Sequence, residues 1–172
     1  VIGGGLTRDI SESVNGFIDG ASSAGAVATS TYLSASQNGF NNYDEGYRMA
    51  SEMFEQDGVD VIFVAAGATG LGVLEASKQG VDRYVIGYDF DLSDYGADVV
   101  LGSVVKELDS VILDGMQKTM DGDFESGHVA TGIEDGSVSF SVNDNFSLLL
   151  GSEYSNAQAD ALAAEAQYRE AL

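Results

Sequence analysis

The densest chemical signal in the chain is a run of small residues, Ala65-Ala66-Gly67-Ala68-Thr69-Gly70-Leu71-Gly72-Val73. It follows the most apolar stretch, residues 59–66, and opens a helical pattern. Glycines let the backbone turn sharply there, and the free N–H groups of a helix start can bind a polar or anionic group. About twenty residues further on, the distance of a second ligand-facing strand end, stands Gly87-Tyr88-Asp89-Phe90-Asp91. An acidic side chain at that place accepts hydrogen bonds from both hydroxyls of a ribose. Two functional readings fit. One is a dinucleotide fold, with a pyrophosphate over the glycines and Asp89 on the ribose. The other is a nucleoside or sugar receptor that uses the same aspartate on the same diol, with no phosphate. A plain strand-to-helix turn carrying two surface carboxylates is the third. The order Gly67-x-x-Gly70-x-Gly72 is not Gly-x-Gly-x-x-Gly, and neither a phosphate-loop motif nor a Tyr-x-x-x-Lys pair occurs, which weighs against the dinucleotide.

The elements that must hold these residues alternate between strand and helix patterns. Residues 1–5 are apolar and end in glycines, and 10–24 place Ile10, Val14, Phe17, Ile18 and Ala21 on one helical stripe. Residues 26–33 mix Val, Thr and Tyr as a strand does. Residues 44–55 carry Tyr47, Ala50, Met53 and Phe54 on one helical face, with Asp44 as cap. Residues 59–66 are apolar on both alternating sides, the pattern of a strand buried on both faces. Helix is predicted over 70–79, strands over 83–88 and 99–104, and a long helix from Val105 to about Met120. Beyond Gly122 and Gly127, residues 128–133, 137–141 and 146–150 read as short strands, and 155–172 as a closing helix capped by Ser155 or Asn156. The alternation predicts an α/β fold, a parallel sheet with helices on both faces and right-handed crossovers. Ligands of such sheets lie beyond the carboxyl ends of the strands, which selects residues 3–9, 33–42, 66–72 and 88–94.

Bulk composition narrows the partners. The chain sets 28 Asp and Glu against seven Lys and Arg over 172 residues, a formal net charge of −21. Phosphate backbones are bound by basic surfaces, so nucleic acid is not an expected partner. Scarce lysine with abundant aspartate is the balance of a protein adapted to brine. Self-repulsion of this size destabilises the compact state at ordinary salt, and molar salt screens it within about 3 Å. With one His and no Cys, a disulfide, a zinc cluster and a cysteine nucleophile are excluded within these residues. The acidic clusters Asp121-Gly122-Asp123-Phe124-Glu125 and Glu134-Asp135 lack the spacing of a calcium loop, and His128 has no identifiable Ser or Asp arrangement around it. No apolar run is long enough to span a bilayer. A chain that opens in mid-strand without a basic leader is expected to be a piece of a longer protein, with any targeting signal or lipid-bearing Cys upstream. The length suits one domain, or one lobe of a two-lobed protein plus a crossing segment.

Residues 58–73 strongly resemble the basic membrane protein (BMP) family of substrate-binding lipoproteins, the purine nucleoside receptor group. Four further stretches agree in order. Residues 1–5 with Phe17-Ile18-Asp19-Gly20-Ala21 resemble the family's opening of its second lobe, and Gly39-Phe40-Asn41-Asn42 its Ser-Phe-Asn-Asp loop. Ile86-Gly87-Tyr88-Asp89-Phe90-Asp91 resembles its Ile-Gly-Val-Asp-x-Asp, and Ser103-Val104-Val105-Lys106 its Ser-x-x-Lys. The resemblance covers about residues 1–140. Gly39, Asn42 and Leu92 depart from the family's Ser, Asp and Gln.

The resemblance implies a lobe of type I periplasmic-binding-protein architecture. Residues 1–104 would form the second ligand-binding lobe, and 105–172 a return helix, strands crossing to the first lobe and a closing helix. It also implies site roles. Phe40 would stack on a flat base, Asp89 would accept from ribose hydroxyls, Lys106 would donate to the same ribose and pair with Asp89, and Gly67 and Gly70 would let the backbone approach. Asp91 would only support Asp89, while Tyr88 and Phe90 line the cleft or pack in the hinge. The implied whole is a small-molecule receptor for a nucleoside, serving an ABC permease from the cell surface and touching the membrane only through an upstream lipid anchor. It would need no cofactor and perform no catalysis. A Rossmann-like nucleotide-using enzyme and a ligand-free surface module of the same fold remain as the competing readings.

The charge balance carries a test of its own. The thermal midpoint should climb steadily as KCl is raised from about 0.1 M to about 3 M, because screening removes carboxylate repulsion. A midpoint flat across that range, followed by circular dichroism, would discard the adaptation to brine.

Overall fold

The computed structural model describes residues 1–170. Six strands form one sheet: β1 (Ile2–Gly3), β2 (Thr31–Tyr32), β3 (Val61–Ala65), β4 (Tyr84–Asp89), β5 (Val100–Lys106) and β6 (Val138–Val142), in the order β2-β1-β3-β4-β5-β6. The first five are parallel, and β6 runs antiparallel to β5. The helices are α1 (Arg8–Ser23), α2 (Tyr43–Glu55), α3 (Gly70–Ser77), α4 (Leu108–Asp121) and α5 (Ser147–Glu170). The expected α/β sheet with helices on both faces is present.

Strand alternation builds two cores from one sheet. Ile62, Val64 and Ala66 point to the side where Ala50, Met53 and Phe54 of α2 and Val73, Leu74 and Ala76 of α3 pack. Phe63 and Ala65 point to the other, where they meet Ile10 and Val14 of α1 and Tyr88 of β4. The predicted stripe of α1 therefore packs as its spacing requires, with Ile10 and Val14 buried and Phe17 and Ile18 at the margin.

Several boundaries differ, each for a local reason. Residues 26–30 are not strand, because β1 offers only Ile2 and Gly3 to pair with β2. The cap of α2 is Asn42, whose Oδ1 accepts from the Glu45 N–H at 3.3 Å, while Asp44 sits inside the first turn. The strand after Val99 runs on through Val105 and Lys106, because pairing of Lys106 with Val138 of β6 extends the ladder; the boundary between residues 104 and 105 falls inside β5. Residues 128–133 are irregular. Residues 146–150 are not strand: Asn143 accepts from the Asn145 N–H, starts a short turn over Asp144–Phe146, and feeds directly into α5. That helix bends at Gly151, so Ser155 and Asn156 lie within it and cap nothing. Residues 171 and 172 of the expected closing helix lie outside the described residues.

Thr69 ties two of the ligand-side loops together. Fully buried, its hydroxyl donates to the Gly39 carbonyl at 2.7 Å and accepts from the Asn42 N–H at 2.7 Å. Thr69→Val keeps the volume but strands both backbone groups, so it should cost about 1–3 kcal/mol. Urea unfolding measures this, and Thr69→Ser should recover most of the loss; equal midpoints for Val and Thr would refute the tie.

Candidate functional site

The carboxyl ends of the parallel strands carry two clusters. The first surrounds Phe40, which ends a short turn (Gln37–Phe40) after β2. Its half-buried ring lies over the loop that leaves β1, so close that a Cβ on Gly4 would sit 2.6 Å from Cδ1 and one on Gly5 3.0 Å from Cε2. Gly39 makes the approach possible, since any Cβ there would collide with the Gly4 carbonyl oxygen. Gly67, at the end of β3, adopts a φ of 54° and faces the backbone of Phe40, where a Cβ would come within 3.1 Å of the Phe40 carbonyl oxygen. Three strand ends thus hold one aromatic ring.

The second cluster joins β4 to β5. Lys106 Nζ lies 2.9 Å from Asp89 Oδ1, with side chains 32% and 49% exposed. In the parallel register Tyr88 stands opposite Val104, so Lys106, two residues on, shares the face of Tyr88. A regular strand would turn Asp89 to the opposite face. Asp89 instead adopts a φ of 76°, and its carboxylate meets the lysine. Aspartate tolerates a positive φ better than most residues, and Asp82, in the turn before β4, adopts one too at 55°; at Asp89 its effect is to turn the carboxylate toward Lys106. Burial works against the Lys106 charge, but its contacts with Asp89 and Tyr88 outweigh this and hold its proton above the ordinary lysine value of 10.5.

The geometry brings Phe40 and Gly67 together, and separately Asp89 and Lys106. Gly70 belongs with neither: it is buried in the first turn of α3 and faces Val64 of β3 at 3.4 Å from a would-be Cβ, a helix–strand contact. Asp91 points away from Lys106, accepting from the Ser141 hydroxyl at 2.5 Å and the Ser93 N–H at 2.8 Å. Burial opposes ionisation of Asp91, but these donors pull its carboxyl below the ordinary range. Tyr88 is core, 9% exposed, and Phe90 is outside, 48% exposed against Tyr95. Sequence reasoning missed the supports. Thr69 fixes the Phe40 loop, and the buried Ser103 hydroxyl accepts the Leu92 N–H at 3.0 Å, pinning the loop after Asp89. Its place in Ser103-x-x-Lys106 was the available signal.

Neighbouring strands are about 5 Å apart, so the ends of β3 and β5 are separated by about 10 Å. A flat ring on Phe40 joined to a hydroxyl-bearing group at Asp89 and Lys106 can bridge that distance. The carboxylate accepts from hydroxyls and the ammonium donates to them.

The profile of a family described as "ABC transporter substrate-binding protein PnrA-like" matches residues 1–167. Basic membrane protein D of Borreliella burgdorferi (strain JD1) is 40% identical over 98 residues, which are 56% of this chain and 26% of that protein. The crystal structure of a "Transcriptional Activator of comK gene" from Bacillus halodurans superposes with a TM-score of 0.75 at 25% identity, covering 94% of this chain and 53% of that one. An ABC transporter solute-binding protein from Aeropyrum pernix K1 shares the fold, with a TM-score of 0.65 at 21% identity over 88% of this chain and 44% of that one. The chain spans about half or less of the length of each of these proteins. With the family profile running through all six strands and both clusters, the chain belongs to the Bmp family of PnrA-like ABC transporter substrate-binding proteins.

Proposed function

We propose that this chain is the second ligand-binding lobe of a cell-surface, lipid-anchored receptor that captures a purine nucleoside and delivers it to an ABC permease. The observation that carries the reading is the Asp89 carboxylate, turned by a positive φ to lie 2.9 Å from Lys106 at the carboxyl edge of the same sheet that presents Phe40. A base would stack on Phe40, and the ribose hydroxyls would share the Asp89–Lys106 pair. Capture of this kind needs no cofactor and no bond-breaking step. A ligand lacking the hydroxyls would leave the spare donors of Lys106 and the second oxygen of Asp89 unsatisfied once the cleft closes, and that penalty sets specificity.

The other half of the cleft would come from a first lobe. Helix α4 supports this: Leu108, Ile112, Leu113, Met116 and Met120 are each more than half exposed, and α4 buries none of its residues. An apolar stripe at helical spacing belongs against another element. We read the chain through the end of β5 at Lys106, two residues past the expected boundary, as the ligand-binding lobe and α4 as the return to its companion, with β6 coming back to close the sheet.

In calorimetry of the two-lobed protein in molar KCl, inosine, guanosine or adenosine should bind with submicromolar affinity, about 10⁻⁶ M or tighter, and ribose far more weakly. Asp89→Ala should lose about 10- to 150-fold and Phe40→Ala about 5- to 150-fold. Binding untouched by Asp89→Ala would move the ligand elsewhere, and no heat from any nucleoside would leave a fold with another solute or none. Hydrogen exchange tests the domain reading: amides of α4 should exchange quickly in residues 1–172 alone and become protected in the two-lobed protein. Equal rates would mean that the first lobe does not cover α4.

A further inference from the structure

We infer that Tyr88 is a positioning residue for Lys106, fixing its ammonium beside Asp89 before any ligand arrives; its relevance to affinity rests on the receptor reading above. Lys106 Nζ sits 4.2 Å from the centre of the Tyr88 ring, within the range in which a ring face attracts a cation. The ring itself is immobilised. Phe63 packs edge-on against it at 5.7 Å, and Phe17 stacks on Phe63 at 4.6 Å, giving a column from α1 through β3 to β4 that ends in the ammonium. The far end of Tyr88 is tied as well. Its hydroxyl lies 2.7 Å from Ser13 Oγ, and the Ser13 proton is given to the Asp9 carbonyl at 2.9 Å, so Tyr88 is the donor to Ser13.

The chain's own sequence makes this specific. A branched aliphatic residue at 88 would have neither a ring face for the ammonium nor reach to Ser13. Lysine carries the rotamer freedom of a long flexible stem, which a ligand must quench on binding unless the apo protein has already done so. Three restraints act on one ammonium here: a carboxylate from β4, a ring face from the residue before it, and partial burial of the side chain. What is left for a ligand is the remaining donor capacity of Lys106 and the second oxygen of Asp89.

Lysine-labelled NMR on the ligand-free two-lobed protein, with Lys106→Arg identifying the signal, reads the geometry directly. The ε-methylene protons of Lys106 should resonate upfield of their random-coil position through the ring current of Tyr88. Tyr88→Phe should keep that shift and Tyr88→Leu should abolish it, while a folded core is checked on the remaining spectrum. In calorimetry, Tyr88→Leu should weaken nucleoside binding by about 2- to 30-fold, the range of a cation–π contact, with Tyr88→Phe near wild type. A Lys106 signal at its random-coil position in the wild type overturns the inference, even if Tyr88→Leu fails to fold. So does a Tyr88→Leu protein that binds as tightly as wild type. Because the NMR measurement needs no ligand, an intact shift with no nucleoside binding would overturn only the receptor reading.

Discussion

Strand β3 has apolar side chains on both of its faces and none to offer water. Ile62 and Val64 demand cover from one side, Phe63 and Ala65 from the other, and the chain meets the demand by sending α2 and α3 to the first and α1 to the second. Because β1 to β5 run parallel, the turns that leave them all fall at one edge of the sheet. The site is a by-product of that constraint. Gly67 follows β3, Gly4 follows β1, Asp89 ends β4 and Lys106 ends β5, so four strand ends present their residues at the same edge.

Much of this was legible in sequence because it depends on periodicity or residue type. The unbroken apolar run of β3, the stripe of α1 and the glycines of the following turn each announce themselves locally. Asp89 and Lys106 were legible as a pair only through a resemblance. What stayed hidden are contacts between residues remote in the chain. Ser13 and Tyr88 are 75 positions apart, and Thr69 reaches 30 positions back to Gly39. Nothing in either neighbourhood marks the partner. The misread end of the chain has a different cause. Residues 146–150 have the composition of a strand and are too short for period to arbitrate, and the capping asparagine at 143 decided the outcome.

The two clusters differ in how they are held, and the difference has a physical logic. Phe40 is placed by backbone crowding, with glycines removing the atoms that would keep the loop away. Asp89 and Lys106 are placed by charge and by an aromatic ring beneath them. Crowding holds a side chain closely in place, while an ion pair tolerates small shifts of its partners.

Gly39 has a consequence for substitution as well as for space. In this backbone a β-carbon at 39 would overlap the Gly4 carbonyl oxygen. No side chain can enter that position by a single substitution while the loop keeps its place. Accommodating one would first require β1 and the Phe40 loop to separate, and with Thr69 bonded to both Gly39 and Asn42 that movement breaks other contacts. The position is closed by its neighbours, so any change there has to be accompanied by changes around it.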